Sequence, residues 1–299
     1  PTYFYIGENK VELRDARAVW GKGARDTEDM LRDESGHQDA RVGCIGPAGE
    51  SLIRAAMFVN DYNHNAAHGL GAVMGSKKLK AIVAWGTKRP RVYDKITLIE
   101  AGLRWRKAIA ARTTTVKKRL TSVGHGEDWG AITKLNWRST VITDEAKGLD
   151  QNQVVLRPCF QCPRMCPWDV KIGEGRFKGA VGHFNAGSEW MDTFYNLGFK
   201  GNDVLYLSER INDLGIECSH FACGAGLAFE AWEKGVLGED RTDGLKLEWG
   251  NLHAAETLLE RCARRETWFG NILADGPKEL AEALGGDAKN WVVHTKGGT

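Results

Sequence analysis

The chain opens with a run of β-formers at Thr2–Ile6, then Gly7-Glu8-Asn9, then polar–apolar alternation over Lys10–Arg14. That pattern predicts a β-hairpin. Asp26–Asp33 has helical spacing, and Arg41–Ile45 and Lys80–Trp85 read as short buried strands closed by Gly46-Pro47 and Gly86-Thr87. Ala48–Asn60 fits either the start of a helix or a loop. Beyond Arg91 the period changes. Thr97–Arg112 predicts a long amphipathic helix, and residues 114–158 are irregular and polar, carrying Gly124, Gly126 and Trp129. Apolar residues recur at 3–4 spacing over Val204–Leu214, Ala222–Lys234, Leu252–Arg265 and Asn271–Leu284, which predicts four helices. The expected fold class is α+β: a β-containing cofactor-binding portion over residues 1–88 and a mainly α-helical domain over residues 89–299, with the boundary near residues 88–92. No internal repeat or low-complexity tract interrupts it.

Composition narrows the function classes. With 299 residues the chain is long enough for about two domains and a real core. Its 41 basic and 39 acidic residues give a formal charge of +2, so no electrostatic footprint for nucleic acid is present. No apolar run approaches the ~18–20 residues of a membrane span. The N-terminus PTYFYIGENKVELRD has no signal-peptide pattern and no initiator Met, and it reads like the middle of a chain. The 36 glycines against 7 prolines predict tight turns and close backbone approaches, and the 11 tryptophans suit an aromatic-lined interior.

Seven cysteines are present, three of them close together: Cys159-Phe-Gln-Cys162-Pro-Arg-Met-Cys166. A disulfide scaffold would be shorter and even-numbered, so the clustering points to metal ligation in a reducing compartment, hence a cytoplasmic protein. The C-x2-C-x3-C spacing lets three thiolates hold three corners of an iron–sulfur cube, with a fourth ligand elsewhere. Pro163 and Pro167 stiffen the segment. Structural zinc is the alternative, but it calls for a second paired motif downstream, and Cys218 and Cys223, with four residues between them, match poorly. Free structural thiols are the third reading. A radical-SAM loop has the opposite order. Cys44 and Cys262 read as core residues, and Cys218, beside Glu217 and His220, as a weak ligand candidate.

The stretch His68-Gly-Leu-Gly-Ala-Val-Met-Gly-Ser-Lys77-Lys-Leu-Lys80 fails both familiar phosphate patterns. Gly71 and Gly75 enclose three residues where a phosphate loop needs four, and Met74 stands where a dinucleotide fingerprint needs its third glycine. Two readings remain. One is a loop made glycine-rich for packing. The other is a set of backbone N–H groups approaching an anionic cofactor, with Lys77, Lys78 and Lys80 supplying charge. His64 and His68 stand at i, i+4 as in a zinc protease helix, but Asn65 replaces the glutamate such a site needs.

Together these residues resemble the aldehyde ferredoxin oxidoreductase family of tungsten-pterin enzymes. The resemblance rests on Ile45-Gly-Pro-Ala-Gly-Glu50, Gly69–Ile82, the Cys159/Cys162/Cys166 segment, and Asn212-Asp-Leu-Gly-Ile-Glu217 before the helix ending Trp232-Glu-Lys-Gly235. Trp249-Gly-Asn251 and Gly270–Gly276 extend it along nearly the whole chain.

The resemblance implies a tungsten (or molybdenum) bis-pterin beside a [4Fe–4S] cluster. Cys159, Cys162 and Cys166 would hold the cluster. Gly69, Gly71, Ala72, Val73, Met74, Gly75 and Lys77 would line the pterin. Asn212, Gly215, Ile216 and Glu217 match the family's D-x-x-G-L-D, with Asn212 and Glu217 departing from its two aspartates and Ile216 from its leucine. Gly187-Ser-Glu189 resembles the family's G-x-E, which assigns Glu189 proton handling or water positioning; taken alone, Glu189 reads as a solvated carboxylate. His183 is expected to border the pocket. His68 stands where the family is expected to have Arg or Gly.

By the same resemblance, residues 1–88 are the C-terminal part of a β-containing pterin-binding domain, and the family's N-terminal and C-terminal regions lie outside this chain. The implied activity is oxidation of an aldehyde to a carboxylic acid, with electrons leaving through the cluster to ferredoxin. The surroundings of His68 and Trp190 keep a second activity open: reduction of an aryl-CoA thioester, as in class II benzoyl-CoA reductase, with electrons from an iron–sulfur subunit. A third reading is an iron–sulfur electron-transfer module without catalysis. The expected partners are a small-molecule aldehyde or acyl-CoA-type substrate and a ferredoxin or electron-transfer subunit, in an oligomer or complex.

Overall fold

The computed structural model describes residues 1–62, 64–111, 132–141, 152–156, 168–184 and 189–295. Strands β1 (Thr2–Ile6), β2 (Val11–Asp15), β3 (Arg41–Cys44), β4 (Phe58–Asn60), β5 (His64–Ala66) and β6 (Leu79–Ala84) form one sheet in the order β2-β1-β6-β3-β4-β5. All neighbours are antiparallel except β1 and β6. The first hairpin forms where the sequence predicts it: Ile6 opposes Val11, and the Gly7 N–H donates to the Lys10 carbonyl at 2.8 Å. Side-chain period two then sorts the strands. Tyr3, Tyr5, Val42, Cys44, Ala81 and Val83 share the buried face, whereas Phe4, Ile6, Val11 and Leu13 are exposed on the other.

Three helices accompany this portion, α1 (Ala24–Ser35), α2 (Pro47–Glu50) and α3 (Leu70–Ser76), and α4 (Lys95–Ala110) follows it in the chain. The N-cap of α1 is Gly23, which has no capping side chain. Asp213, far along the chain, substitutes by accepting from the Arg25 N–H at 2.9 Å, and a Cβ at Gly23 would sit 2.2 Å from its carboxylate. Helix α4 starts on an Asp94 cap that accepts from the Ile96 and Thr97 N–H groups.

The remainder contains the β7 (Ile132–Lys134) and β8 (Ser139–Val141) hairpin. It also contains a sheet of β9 (Gln153–Leu156), β10 (Trp168–Lys171) and β11 (Val181–Phe184), ordered β11-β10-β9. The described helices here are α5 (Glu189–Asn196), α6 (Gly201–Leu214), α7 (Cys218–Glu233), α8 (Leu252–Arg264), α9 (Thr267–Asp275), α10 (Pro277–Leu284) and α11 (Ala288–Trp291). The α+β class stands. One hydrophobic core runs through both portions, from Tyr3, Val42 and Met57 to Leu214, Phe221 and Leu273. Among the described residues no helix is long and apolar enough to cross a membrane.

Three local expectations change. The glycine stretch forms helix α3 instead of a loop, and in it Gly71 and Gly75 lie against the Met57 and Gly49 carbonyls where a Cβ would not fit. The single helix expected over Asn271–Leu284 breaks at Gly276, whose φ of 133° suits glycine, and Pro277 begins α10 at its first turn. The ambiguous segment Ala48–Asn60 becomes one turn of helix, a bend and β4.

Candidate cofactor site

The strip Arg54–Met57 joins the two segments singled out by sequence. On one side the Met57 N–H donates to the Gly215 carbonyl at 2.8 Å, the Glu217 N–H donates to the Ala55 carbonyl at 3.2 Å, and Ala56 bridges Ile216. On the other, the Gly71 N–H donates to the Ala56 carbonyl at 3.0 Å, and Gly69, at φ 90°, lies against the Arg54 carbonyl. The Gly69–Lys77 block and the Asn212–Glu217 segment therefore flank a common strut.

Packing explains several of the glycines. A Cβ at Gly71 would come within 2.4 Å of the Met57 carbonyl oxygen, one at Gly75 within 1.9 Å of the Gly49 oxygen, and one at Gly46 within 2.4 Å of the Leu214 oxygen. Within α3, Gly71, Met74 and Gly75 are buried, Ala72 is half-buried, and Val73 is exposed, as is Lys77 just beyond the helix. Lys80 corrects the expectation that it supplies charge to a phosphate. It is fully buried, donates to Glu50 Oε1 at 2.6 Å and to the Lys22 carbonyl at 2.9 Å, and serves the core. Lys77 and Lys78 remain exposed. The His64/His68 pairing has no helical basis, since His64 is in β5 and His68 lies outside any helix at φ 60°.

The second segment closes α6 and opens α7. Asn212 is 1% exposed and accepts from Asn65 Nδ2 of β5 at 3.1 Å. Gly215 ends α6 in the left-handed region at φ 76°. Ile216 is fully buried. Glu217 caps α7, accepting from the Ser219 N–H at 3.1 Å and the His220 N–H at 2.8 Å. The Cys218 Sγ also donates to Glu217 Oε1, at 3.6 Å. Thr193 of α5 donates to the Cys218 carbonyl at 3.2 Å, tying the helix that begins with Glu189 to this segment.

Cys159, Cys162 and Cys166 lie outside the described residues. The strands on either side of them are described: β9 and β10 pair antiparallel with Leu156 opposite Trp168, and Trp168 in turn opposes Phe184 of β11. That one rung joins both ends of the cysteine segment to the strand that carries His183. Among the described residues no group of three or more His, Cys, Asp or Glu could hold a metal. Cys44, Cys218, Cys223 and Cys262 are buried. Burial pushes the Cys223 and Cys262 thiols up to about 12 and Cys44 well above its usual value, which fits the core role expected of Cys44 and Cys262.

Sequence reasoning assigns no role to three residues here: His220, Glu279 and Arg54. His220, on the first turn of α7, is 4% exposed, and its Nε2 has no hydrogen-bond partner among the described residues. Burial lowers its pKa, opposed by Glu217 and Glu279, so the imidazole is neutral at neutral pH. Glu279 of α10 buries its Oε2 without a partner among the described residues, while its Oε1 accepts from Arg54 Nη1 at 2.9 Å. His220 is legible in the sequence only as a neighbour of Glu217; nothing there brings Glu279 to it. A pterin ring carries amine, ring N–H, ring nitrogen and carbonyl groups, and orphaned polar atoms of this kind fit such a group.

Residues 1–86 match the aldehyde ferredoxin oxidoreductase N-terminal domain, and residues 106–299 match domains 2 and 3 of the same family. The chain belongs to the aldehyde ferredoxin oxidoreductase family. It is 33% identical to the tungsten-containing aldehyde ferredoxin oxidoreductase of Pyrococcus horikoshii over 96% of this chain and 49% of that protein. It is 28% identical to the aliphatic sulfonate oxidoreductase, WOR-like subunit, of Pyrococcus furiosus over 99% of this chain and 51% of that protein. Among solved structures it resembles the active site complex BamBC of benzoyl coenzyme A reductase with 1,5-dienoyl-CoA. There the TM-score is 0.82 and the identity 26%, over 97% of this chain and 46% of that one. The chain spans about half the length of the curated relatives it matches. Aldehyde ferredoxin oxidoreductases bind a tungsten bis-pterin and a [4Fe–4S] cluster.

Proposed function

We propose that this protein is a tungsten (or molybdenum) pterin oxidoreductase that oxidises an aldehyde to a carboxylic acid and passes the electrons through a [4Fe–4S] cluster to ferredoxin. The observation that carries the reading is the meeting of the Gly69–Lys77 block and the Asn212–Glu217 segment on the Arg54–Met57 strut, beside buried polar atoms without partners. Family membership supports it.

When bound, the metal–pterin group supplies Lewis acidity and two-electron redox chemistry, and the cluster supplies a one-electron exit. The chain's own residues bind and orient. Backbone at Gly69, Ala72 and Val73, with the Lys77 ammonium, would line the pterin. Asn212, whose Oδ1 accepts from Asn65, would meet a pterin edge through its amide. Glu217 would accept a pterin N–H while holding the first turn of α7. Cys159, Cys162 and Cys166 would ligate the cluster. Glu189, at the start of α5, would accept or relay the proton released on oxidation, and His183 would border the pocket.

A second reading is reduction of an aryl-CoA thioester, favoured by the likeness to the BamBC complex at a TM-score of 0.82. Purified intact protein assayed with an aldehyde and with an aryl-CoA thioester separates the two. Aldehyde-dependent reduction of ferredoxin or a viologen dye is the expected result, and turnover of the thioester alone overturns the first reading. Iron without tungsten, molybdenum or pterin would leave only an electron-transfer module.

A further inference from the structure

The proposed function puts a pterin beside α7, and the contact inferred for that pterin rests on it. A buried polar atom without a partner is costly, and native proteins rarely leave two such atoms together. Here two occur on groups that act on each other electrostatically: Nε2 of His220 and Oε2 of Glu279. Both residues belong to helix starts, of α7 and α10, and His220 also feels Glu217, the terminal residue of the pterin-type segment. Arg54, from the strut that also touches Gly69, fixes the other Glu279 oxygen at 2.9 Å. Helix α10, which carries Glu279, packs against α7, which carries His220, and the charged groups that act on His220 electrostatically are Glu217, Glu279 and Arg54.

The chemistry of the pair selects its ligand. A neutral imidazole nitrogen offers one hydrogen bond, and a carboxylate oxygen offers acceptance only. Their complement is a planar polar edge carrying an N–H donor next to a second heteroatom, which is what a pyrimidine edge presents. We propose that His220 Nε2 and Glu279 Oε2 are positioning residues that hydrogen-bond the pyrimidine edge of one pterin, with Arg54 locking the Glu279 carboxylate. This contact is additional to the one assigned to Asn212–Glu217.

The test uses the intact protein purified from a tungstate-supplied host that makes the pterin. Pterin is extracted, oxidised and quantified by fluorescence, metal is measured in the same samples, and the potential of the metal centre is titrated. His220→Phe and Glu279→Leu should lose pterin about tenfold faster than wild type on dialysis, the effect of one lost hydrogen bond to a buried group. His220→Gln, which keeps a hydrogen-bonding atom, should retain pterin within about twofold of wild type. The melting temperature of cofactor-free protein should be nearly the same for all, which separates a binding role from a folding one. Equal pterin retention and an unchanged potential in both His220→Phe and Glu279→Leu overturn the inference while leaving the proposed function standing. Wild-type protein that carries no pterin overturns both.

Discussion

The glycine junction around α2 and α3 and the start of α7 flank the same strut, yet they treat polar groups in opposite ways. In the junction the polar groups are satisfied from within the chain. Gly75 meets the Gly49 carbonyl too closely to admit a Cβ, and the Glu50 carboxylate accepts from Lys80 and from the Gly21 N–H. At the starts of α7 and α10, His220 and Glu279 each bury a polar atom that no described residue satisfies. The difference separates polar groups that folding alone satisfies from polar groups that it leaves open. Close backbone packing is completed by the chain alone, whereas open hydrogen-bonding capacity is costly until something else uses it.

The largest effect should come from the satisfied side. Lys80→Met leaves the Glu50 carboxylate buried without its cation and should cost about 3–5 kcal/mol in urea unfolding; adding Glu50→Leu should recover most of it. Gly75→Ala forces α3 off α2 and should cost about 3 kcal/mol in the same assay. If either variant melts like wild type, the junction is looser than its geometry requires.

Glu28 sharpens the contrast because it is intermediate. It is fully buried, its Oε1 accepts from the Tyr62 N–H at 2.8 Å, and its Oε2 has no hydrogen bond among the described residues and lies 3.6 Å from Arg32. Burial raises its pKa to about 8 from an ordinary 4.5. The folded state then holds a proton that the unfolded chain has released, so this group makes stability fall as pH rises from about 4.5 to about 8. The slope should approach ~1.4 kcal/mol per pH unit and vanish in Glu28→Gln, as read by denaturant midpoints across that range.

The smallest effect belongs to the unsatisfied side. In cofactor-free protein His220→Phe should change stability by less than about 1 kcal/mol, since the ring nitrogen it removes has no described partner to lose. A loss as large as that of Gly75→Ala would erase the distinction between the two regions.

Much of the local structure is legible in the sequence. The β1–β2 hairpin follows from β-formers on either side of Gly7-Glu8-Asn9, and α6, α7 and α8 follow from their 3–4 spacing. The break at Gly276 is hidden because the apolar spacing continues across it while only the backbone dihedral records it. Lys80 misleads because a lysine beside glycines looks like a phosphate partner until the carboxylate that neutralises it, Glu50, is seen to lie across the fold. In the site, Asn212–Glu217 and the glycine block are visible as motifs, but the strut between them is not, since Arg54–Met57 carries no distinctive residue pattern.

By itself the sequence determined the first hairpin, helices α6, α7 and α8, the α+β class and the chemical kinds of residue available: three cysteines at cluster spacing, a glycine-rich block and the Asn212–Glu217 turn. These depend on period, turn chemistry and spacing, which act over a few residues. Only the tertiary structure decided that Lys80 serves the core, that Asp213 caps α1, and that α10 with Glu279 packs against α7 with His220. Those contacts join residues far apart in the chain, and burial and hydrogen-bond satisfaction become defined only when the backbone has closed around them.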